Sequence, residues 1–254
     1  MRALPWIASM NLLLSLVGSA ALAAAPVERL SIVDQAIAYH GGATYRSSDT
    51  SLEVCSKSGC FGVEAVVDGD SFEYEVSGTI GEQQRRVRVT NAEVAWWDED
   101  GEPLALPPDD ETGLRDFVMA RVYFPFLPYR LNDASVYKSD LGVETWGGRE
   151  LHKVKITFTS GSSTDADDEY LYWFDPETGR VEQFAYSFAG DPGGLRFRRA
   201  FNYRRIGGIL FYDAENLGIE GEDLSVDLID AANVETMRQV SVVEVRNIRV
   251  RPLS

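Results

Sequence analysis

Apolar side chains recur at helical spacing from Val27 to Tyr39, where Leu30, Val33, Ala36 and Ile37 share one face. Gly41-Gly42 supplies a stop, so the spacing predicts a helix over 27–39. From Ser51 onward the period drops to two. Phe61, Val63, Ala65 and Val67 alternate up to the turn Asp68-Gly69-Asp70, and Phe72, Tyr74 and Val76 alternate after it. Val87 and Val89 alternate with Arg86, Arg88 and Thr90, and Val94 to Trp97 runs into the turn Asp98-Glu99-Asp100-Gly101. Short alternating runs between tight turns predict an antiparallel sheet.

Pro107-Pro108 interrupts the pattern. Asp109, Asp110 and Glu111 then open a second predicted helix, with acids in the first turn where the helix dipole favours them. Leu114, Phe117, Val118 and Val122 form its apolar stripe. Pro125 and Pro128 end it inside the aromatic run Tyr123-Phe124-Pro125-Phe126-Leu127-Pro128-Tyr129. Strands resume around the turn Trp146-Gly147-Gly148-Arg149. Val154, Ile156 and Phe158 alternate with Lys153, Lys155 and Thr157, as on a strand with one wet face. Tyr170 to Phe174 and Val181 to Phe188 flank the turn Asp175-Pro176-Glu177-Thr178-Gly179. Leu195, Phe197, Phe201 and Tyr203 lie on a further strand, Ile206-Gly207-Gly208-Ile209 turns into Leu210 to Asn216, and Ser241 to Val250 is the last strand. With ten or eleven strands and no Gly- or Ser-rich linker, the expectation is a mainly β chain with a few helices, built on one continuous antiparallel sheet.

The first residues follow a different rule. Arg2 is the only charge before Glu28, an apolar stretch runs from Ile7 to Val17, and Ala21-Leu22-Ala23 and Ala23-Ala24-Ala25 both fit a small-x-small cleavage site. The stretch is shorter than the roughly 20 apolar residues of a membrane span. Residues 1–25 therefore read as a signal peptide and 26–254 as the mature chain, exported to the periplasm. No Cys follows the apolar stretch to take a lipid, and no later stretch could span a bilayer.

Export changes the reading of Cys55 and Cys60. Four residues separate them across a hairpin turn, and an oxidising compartment closes such a pair into a disulfide. The rival reading, a zinc site, lacks the further Cys or His that a tetrahedral shell needs. A hydrophobic fraction of 44% suits a folded chain, and a net charge of −16 argues against nucleic acid and against a broad dock on anionic lipid.

Catalytic patterns are missing: the sequence holds no G-x-S-x-G, H-E-x-x-H, P-loop or G-x-G-x-x-G. Of the two histidines, His40 stands at a helix end where a positive side chain suits the dipole, and His152 opens a strand. The clusters Asp98-Glu99-Asp100, Asp109-Asp110-Glu111 and Asp165 to Glu169 lack EF-hand spacing and read as solvated turns and loops. No enzyme, no cofactor and no metal is expected.

Four motifs carry a resemblance: Ala38-Tyr39-His40-Gly41-Gly42, Glu144-x-Trp146-Gly147-Gly148 with Val154-x-Ile156, Tyr172-Trp173-Phe174-Asp175-Pro176-Glu177-Thr178-Gly179-Arg180, and Tyr203-x-x-Ile206-Gly207-Gly208-Ile209-x-Phe211. On these the mature chain resembles the LolA-like superfamily of periplasmic lipid and lipoprotein carriers, and within it an uncharacterised branch. The resemblance implies an incomplete, half-open antiparallel β-barrel wrapped around short helices, with acyl chains in the space between. It also implies a lid-latching arginine, for which Arg85, Arg86 and Arg88 are the candidates.

A four-residue loop at Pro176 to Gly179 pairs Asp175 with Arg180, Trp173 with Glu182 and Leu171 with Phe184. Leu171, Trp173, Phe184, Tyr186 and Phe188 then share the face expected to be concave. Tyr170, Tyr172, Phe174, Gln183, Ala185 and Ser187 take the other. With Phe197 and Phe201 the first set is the predicted ligand-binding surface. A packed core and a lipid pocket use the same residue types, so the pattern leaves both open and the resemblance favours the pocket. Phe117, Val118 and Val122 of the second helix are its expected cover. Phe124, Phe126 and Leu127 either plug the mouth or stay outside to dock a partner; hiding apolar area favours the plug. The expected function is a non-catalytic binding protein for the acyl chains of a lipid or lipoprotein. The alternative is an envelope module with a solid core that binds a partner protein.

Overall fold

The computed structural model describes residues 30–105, 110–159, 169–188, 193–221 and 224–253. The predicted signal peptide at 1–25, Pro107 to Asp109, and Asp165 to Asp168 lie outside the described residues.

Two short helices open the fold, α1 (Ile32–Tyr39) and α2 (Gly42–Tyr45). Ser31 caps α1 by accepting from the Asp34 amide, and Leu30 is 66% exposed. This helix therefore begins after its cap at Ser31, and Leu30 leaves its buried face. Five strands follow: β1 (Ser47–Ser56), β2 (Gly59–Asp68), β3 (Ser71–Ile80), β4 (Gln83–Thr90) and β5 (Val94–Trp97). The second helix, α3 (Glu111–Tyr123), leads into 3-10 turns at Phe124–Phe126 and Tyr129–Asn132. Seven strands complete the sheet: β6 (Val136–Trp146), β7 (Arg149–Phe158), β8 (Tyr170–Phe174), β9 (Val181–Phe188), β10 (Gly194–Ile206), β11 (Ile209–Glu220) and β12 (Arg238–Pro252). Before β12 come a 3-10 turn at Val226–Leu228 and the one-turn α4 (Ala231–Val234).

Among the described residues twelve strands form one open antiparallel sheet in the order β5-β4-β3-β2-β1-β12-β11-β10-β9-β8-β7-β6. Strands consecutive in sequence are adjacent in the sheet except β5 and β6, and the first and last strands, β1 and β12, pair at the centre. The edges are β5 and β6, consecutive strands at opposite ends of the sheet. Their connection must cross the whole sheet. It does so over the concave face: α3 packs on β2 to β5, the first 3-10 turn on β11, and the second against α1. Topology and these contacts together put the proline-flanked segment on the concave face.

The core has three parts. One joins Val118 and Val122 of α3, Phe126 and Tyr45 to Leu52, Val63, Tyr74, Val76 and Val87 of the first strands. A second joins Ile32, Val33 and Ala36 of α1 with Leu127 and Leu131 to Tyr170, Tyr172, Phe174 and Phe184. The third covers the opposite face, where Leu171, Trp173, Ala185 and Phe197 pack under Val226, Ile229 and Val234. Cys55 and Cys60 are registered partners in the β1–β2 hairpin and are bridged, as expected, with Cα atoms 4.0 Å apart.

Candidate ligand cavity

A β-bulge decides which residues face the interior. Asp175 and Arg180 are joined by an amide–carbonyl hydrogen bond of 2.9 Å, as the loop length implied. Beyond them the register slips by one between Trp173 and Phe174: Trp173 pairs with Gln183, Tyr172 with Phe184 and Leu171 with Ala185. One extra residue reverses the facing of a whole strand relative to its partner. Leu171 and Trp173 therefore turn to the outer layer, where Trp173 lies 5.0 Å from Trp146 and its indole donates to Glu144 at 2.5 Å. Tyr170, Tyr172 and Phe174 take the inner face, with Phe184 and Tyr186. The expected concave set is corrected accordingly: Phe184, Tyr186 and Phe188 keep their common face, and Leu171 and Trp173 leave it.

On β10 the correction is similar. Phe197 stacks on Trp146 at 5.6 Å in the outer layer. Phe201 is 40% exposed beside a second bulge, where Asn202 adopts φ 50°. Neither reaches the interior. The side chains that alternate inward from β10 are Arg196, Arg198 and Ala200.

Between α3 and the second half of the sheet lies a cleft of about 630 Å3. One long side of α3 lines it through Arg115, Asp116, Met119, Ala120 and Tyr123, a single helical face. Phe72 closes it from β3, and Arg130, Asp133, Ser135 and Val136 from the segment leading into β6. Opposite stand Phe158, Tyr170, Tyr186, Phe188 and Arg196 from β7 to β10, with Phe124 between the two walls. The aromatic floor is continuous: Tyr170 stacks on Tyr186 at 5.1 Å, Phe158 meets Tyr170 edge-on at 5.6 Å, and Phe124 lies 5.7 Å from Tyr186. Tyr123 and Tyr172 share a 3.3 Å hydrogen bond beneath it, and burial pushes the Tyr123 phenol up to about 12. Two other voids are no larger than a water molecule, at about 10 and 20 Å3.

The predicted cover residues divide. Val118 and Val122 face the first half of the sheet and are fully buried there. Phe117 meets Phe61 edge-on at 5.7 Å, with the Arg121 guanidinium 3.4 Å from its ring centre. Phe126 packs on Tyr45 at 4.7 Å and on Phe211 at 5.8 Å, and Leu127 is buried beside α1. Of the loop, Phe124 alone reaches the cleft. Sequence reasoning missed Arg115, Met119, Arg130, Tyr170 and Arg196. The first two sit four apart on the non-stripe side of α3, a helical spacing visible in the sequence but masked by the stronger stripe behind it.

The remaining candidates are structural. His40 is buried, its Nε2 accepts the Val181 amide at 3.1 Å, and burial pulls its pKa down to about 3. It is neutral, contrary to the charged helix-end role expected from its position. His152 bonds Asp140 at 2.7 Å on the surface. Glu53 lies beside the Cys55–Cys60 bridge, but both sulfurs are consumed by it. Asp98 closes the β5 turn by accepting the Asp100 and Glu102 amides. Arg86 and Arg88 lie over Trp97 and pair with Glu75 and Glu73, and Arg85 lies over Trp96.

Solved structures align with the chain over most of its length. A LolA superfamily protein from Nitrosomonas europaea aligns over 88% of this chain and 93% of its own, at 11% identity and a TM-score of 0.50. A putative outer membrane lipoprotein-sorting protein domain from Vibrio parahaemolyticus aligns over 87% and 91%, at 11% identity and a TM-score of 0.48. A DUF1329 family protein from Desulfovibrio piger covers 86% and 91%, at 10% identity and a TM-score of 0.46. The first likeness carries the fold assignment, which is LolA-like. No curated protein matches the chain in sequence. A family profile spans residues 44–236, from α2 to the end of α4, and by it the chain belongs to DUF6503, a family of unknown function.

Proposed function

We propose that this protein is a non-catalytic carrier that holds the acyl part of a lipid or lipoprotein in the cleft between α3 and the concave face. The observation that carries this reading is the cleft itself. Its volume of about 630 Å3 falls within the roughly 300–1,000 Å3 usual for ligand sites, and stacked aromatic rings floor it. A module with a solid core would have filled that space. The signal-like N-terminus and the disulfide support export to the periplasm. Helix α3 is the movable cover in this reading, and the segment from Phe124 to Leu127 anchors its end.

Organic extraction of the purified protein followed by mass spectrometry checks for a co-purifying lipid. Delipidated protein should then take up a neutral alkyl-binding fluorophore such as N-phenyl-1-naphthylamine, and Met119→Trp, which fills the cleft from α3, should reduce uptake severalfold. Extraction of no lipid, together with no uptake by the folded protein, would sink the carrier reading.

A further inference from the structure

The chain is strongly acidic at −16, yet three arginines line the cleft beneath α3: Arg115, Arg130 and Arg196. Two aspartates accompany them, Asp116 and Asp133, and Asp133 is taken by Arg130 at 2.7 Å. Arg115 donates to the Thr90 carbonyl at 3.0 Å and stands 3.8 Å from Glu111. Arg196 lies 4.5 Å over the Phe188 ring and donates to the Leu195 carbonyl, and among the described residues no carboxylate comes within ion-pair distance of it.

Arg198, two residues along the same inward face, adds a second and independent sign. It is 9% exposed, donates to the Tyr186 hydroxyl at 3.2 Å and packs 4.1 Å over Phe124, so it sits directly behind the aromatic wall. Its Nε has no protein hydrogen-bond partner and no carboxylate pairs with it among the described residues. Aromatic faces offset part of the cost of burying a guanidinium. An isolated buried charge still favours a counter-charge nearby, because Coulomb attraction is strong where water is thin.

We propose that the cleft takes an anionic single-chain amphiphile, its carboxylate or phosphate head held by Arg196 and Arg115 and its alkyl chain laid over Phe158, Tyr170 and Tyr186. This deepens the carrier reading and rests on it. A guanidinium presents a planar fork that matches either oxyanion. Selection comes from charge, since the aromatic floor treats all alkyl chains alike. Overall acidity then keeps the protein off anionic membrane surfaces while the cleft stays attractive to a single anionic lipid.

The test loads the delipidated protein with N-phenyl-1-naphthylamine and displaces it with four ligands of one chain length: oleate, oleyl phosphate, oleyl alcohol and oleylamine. Oleate or oleyl phosphate should displace the probe at concentrations about tenfold lower than the alcohol, as one charge-assisted contact implies. Oleylamine should be weakest, and the advantage should shrink at high salt. Whichever anion wins names the oxyanion. Arg196→Gln should lose most of the acid-to-alcohol ratio and Arg196→Lys should keep part of it. That ratio is insensitive to general destabilisation, and Arg115→Gln on α3 gives a second variant outside the sheet. Equal displacement by all four head groups, with the probe still binding, would overturn the anion preference and leave the carrier reading standing. If the probe itself fails to bind, both fall.

Discussion

At the scale of single residues, three of the four motifs that carried the resemblance meet where the first helix docks. Gly41, at φ 91°, sits so close to the Gly208 carbonyl that a Cβ on it would lie 2.3 Å from that oxygen. Gly179, at φ 77°, lies so near α1 that a Cβ on it would come within 2.7 Å of the Ala36 amide nitrogen. His40 joins the two contacts, accepting from Val181 through its ring and from Leu210 through its carbonyl. The residues were legible and their purpose was not, because a hairpin glycine and a helix-docking glycine look alike in sequence. His40 makes the consequence measurable. Its folded pKa of about 3 lies below the ordinary 6.5, so the unfolded chain binds the proton more readily. The stability it contributes is therefore complete above pH 6.5 and drains away as pH falls toward 3. His40→Gln should cost about 1–3 kcal/mol at neutral pH through the disturbed Val181 amide and lost packing. It should also unfold with a flatter pH profile below 6.5. Urea titrations at several pH values check both; profiles that run parallel down to pH 4 would remove His40 from the account.

Elements show where pattern reading stops. Strand existence, the α3 stripe and the Cys55–Cys60 hairpin all follow from periodicity. Facing does not, because it is a parity and a single bulge inverts it. The slip at Phe174 sent Trp173 outward and Tyr172 inward, and no local sequence feature marks it. The β10 bulge does have a visible support once folded. Asp213, 4% exposed, accepts from Arg204 at 2.7 Å, Asn202 at 2.6 Å and the Val245 amide at 2.9 Å, tying β10, β11 and β12 together. Removing it takes the carboxylate from a half-buried guanidinium and strands the buried Val245 amide. Asp213→Ala should therefore cost about 2–3 kcal/mol. Phe201→Ser, exposed at the same bulge, should stay within about 0.5 kcal/mol and leave probe uptake unchanged. Chemical denaturation of the two variants side by side gives the comparison, and equal losses would mean the bulge is not held in this way.

For the whole molecule, chain connectivity does what no residue does alone. The first and last strands meet at the β1–β12 seam, so the link between the sheet's edges must cross one face; it crosses the concave one, and α3 is part of it. The helix is built lightly for such a place. Only Val118 and Val122 are fully buried, Asp110 provides no side-chain cap, and Gly113 sits in its first turn, where glycine weakens a helix by roughly 1 kcal/mol relative to alanine. In contrast every residue of β8 is buried. Segments with few buried contacts open at lower free energy than the global fold. Backbone amides from Glu111 to Tyr123 should therefore exchange with solvent before those of β8 and β9, in a cooperative step of their own. An alkyl ligand in the cleft touches Met119, Ala120 and Tyr123, so its binding should slow exchange in α3 while leaving the distant β1–β2 turn unchanged. Hydrogen exchange followed by mass spectrometry, with and without oleate, resolves the segments. Should α3 exchange no earlier than β8, the helix is a fixed wall, and ligand would have to enter past the Phe188 end of the cleft instead.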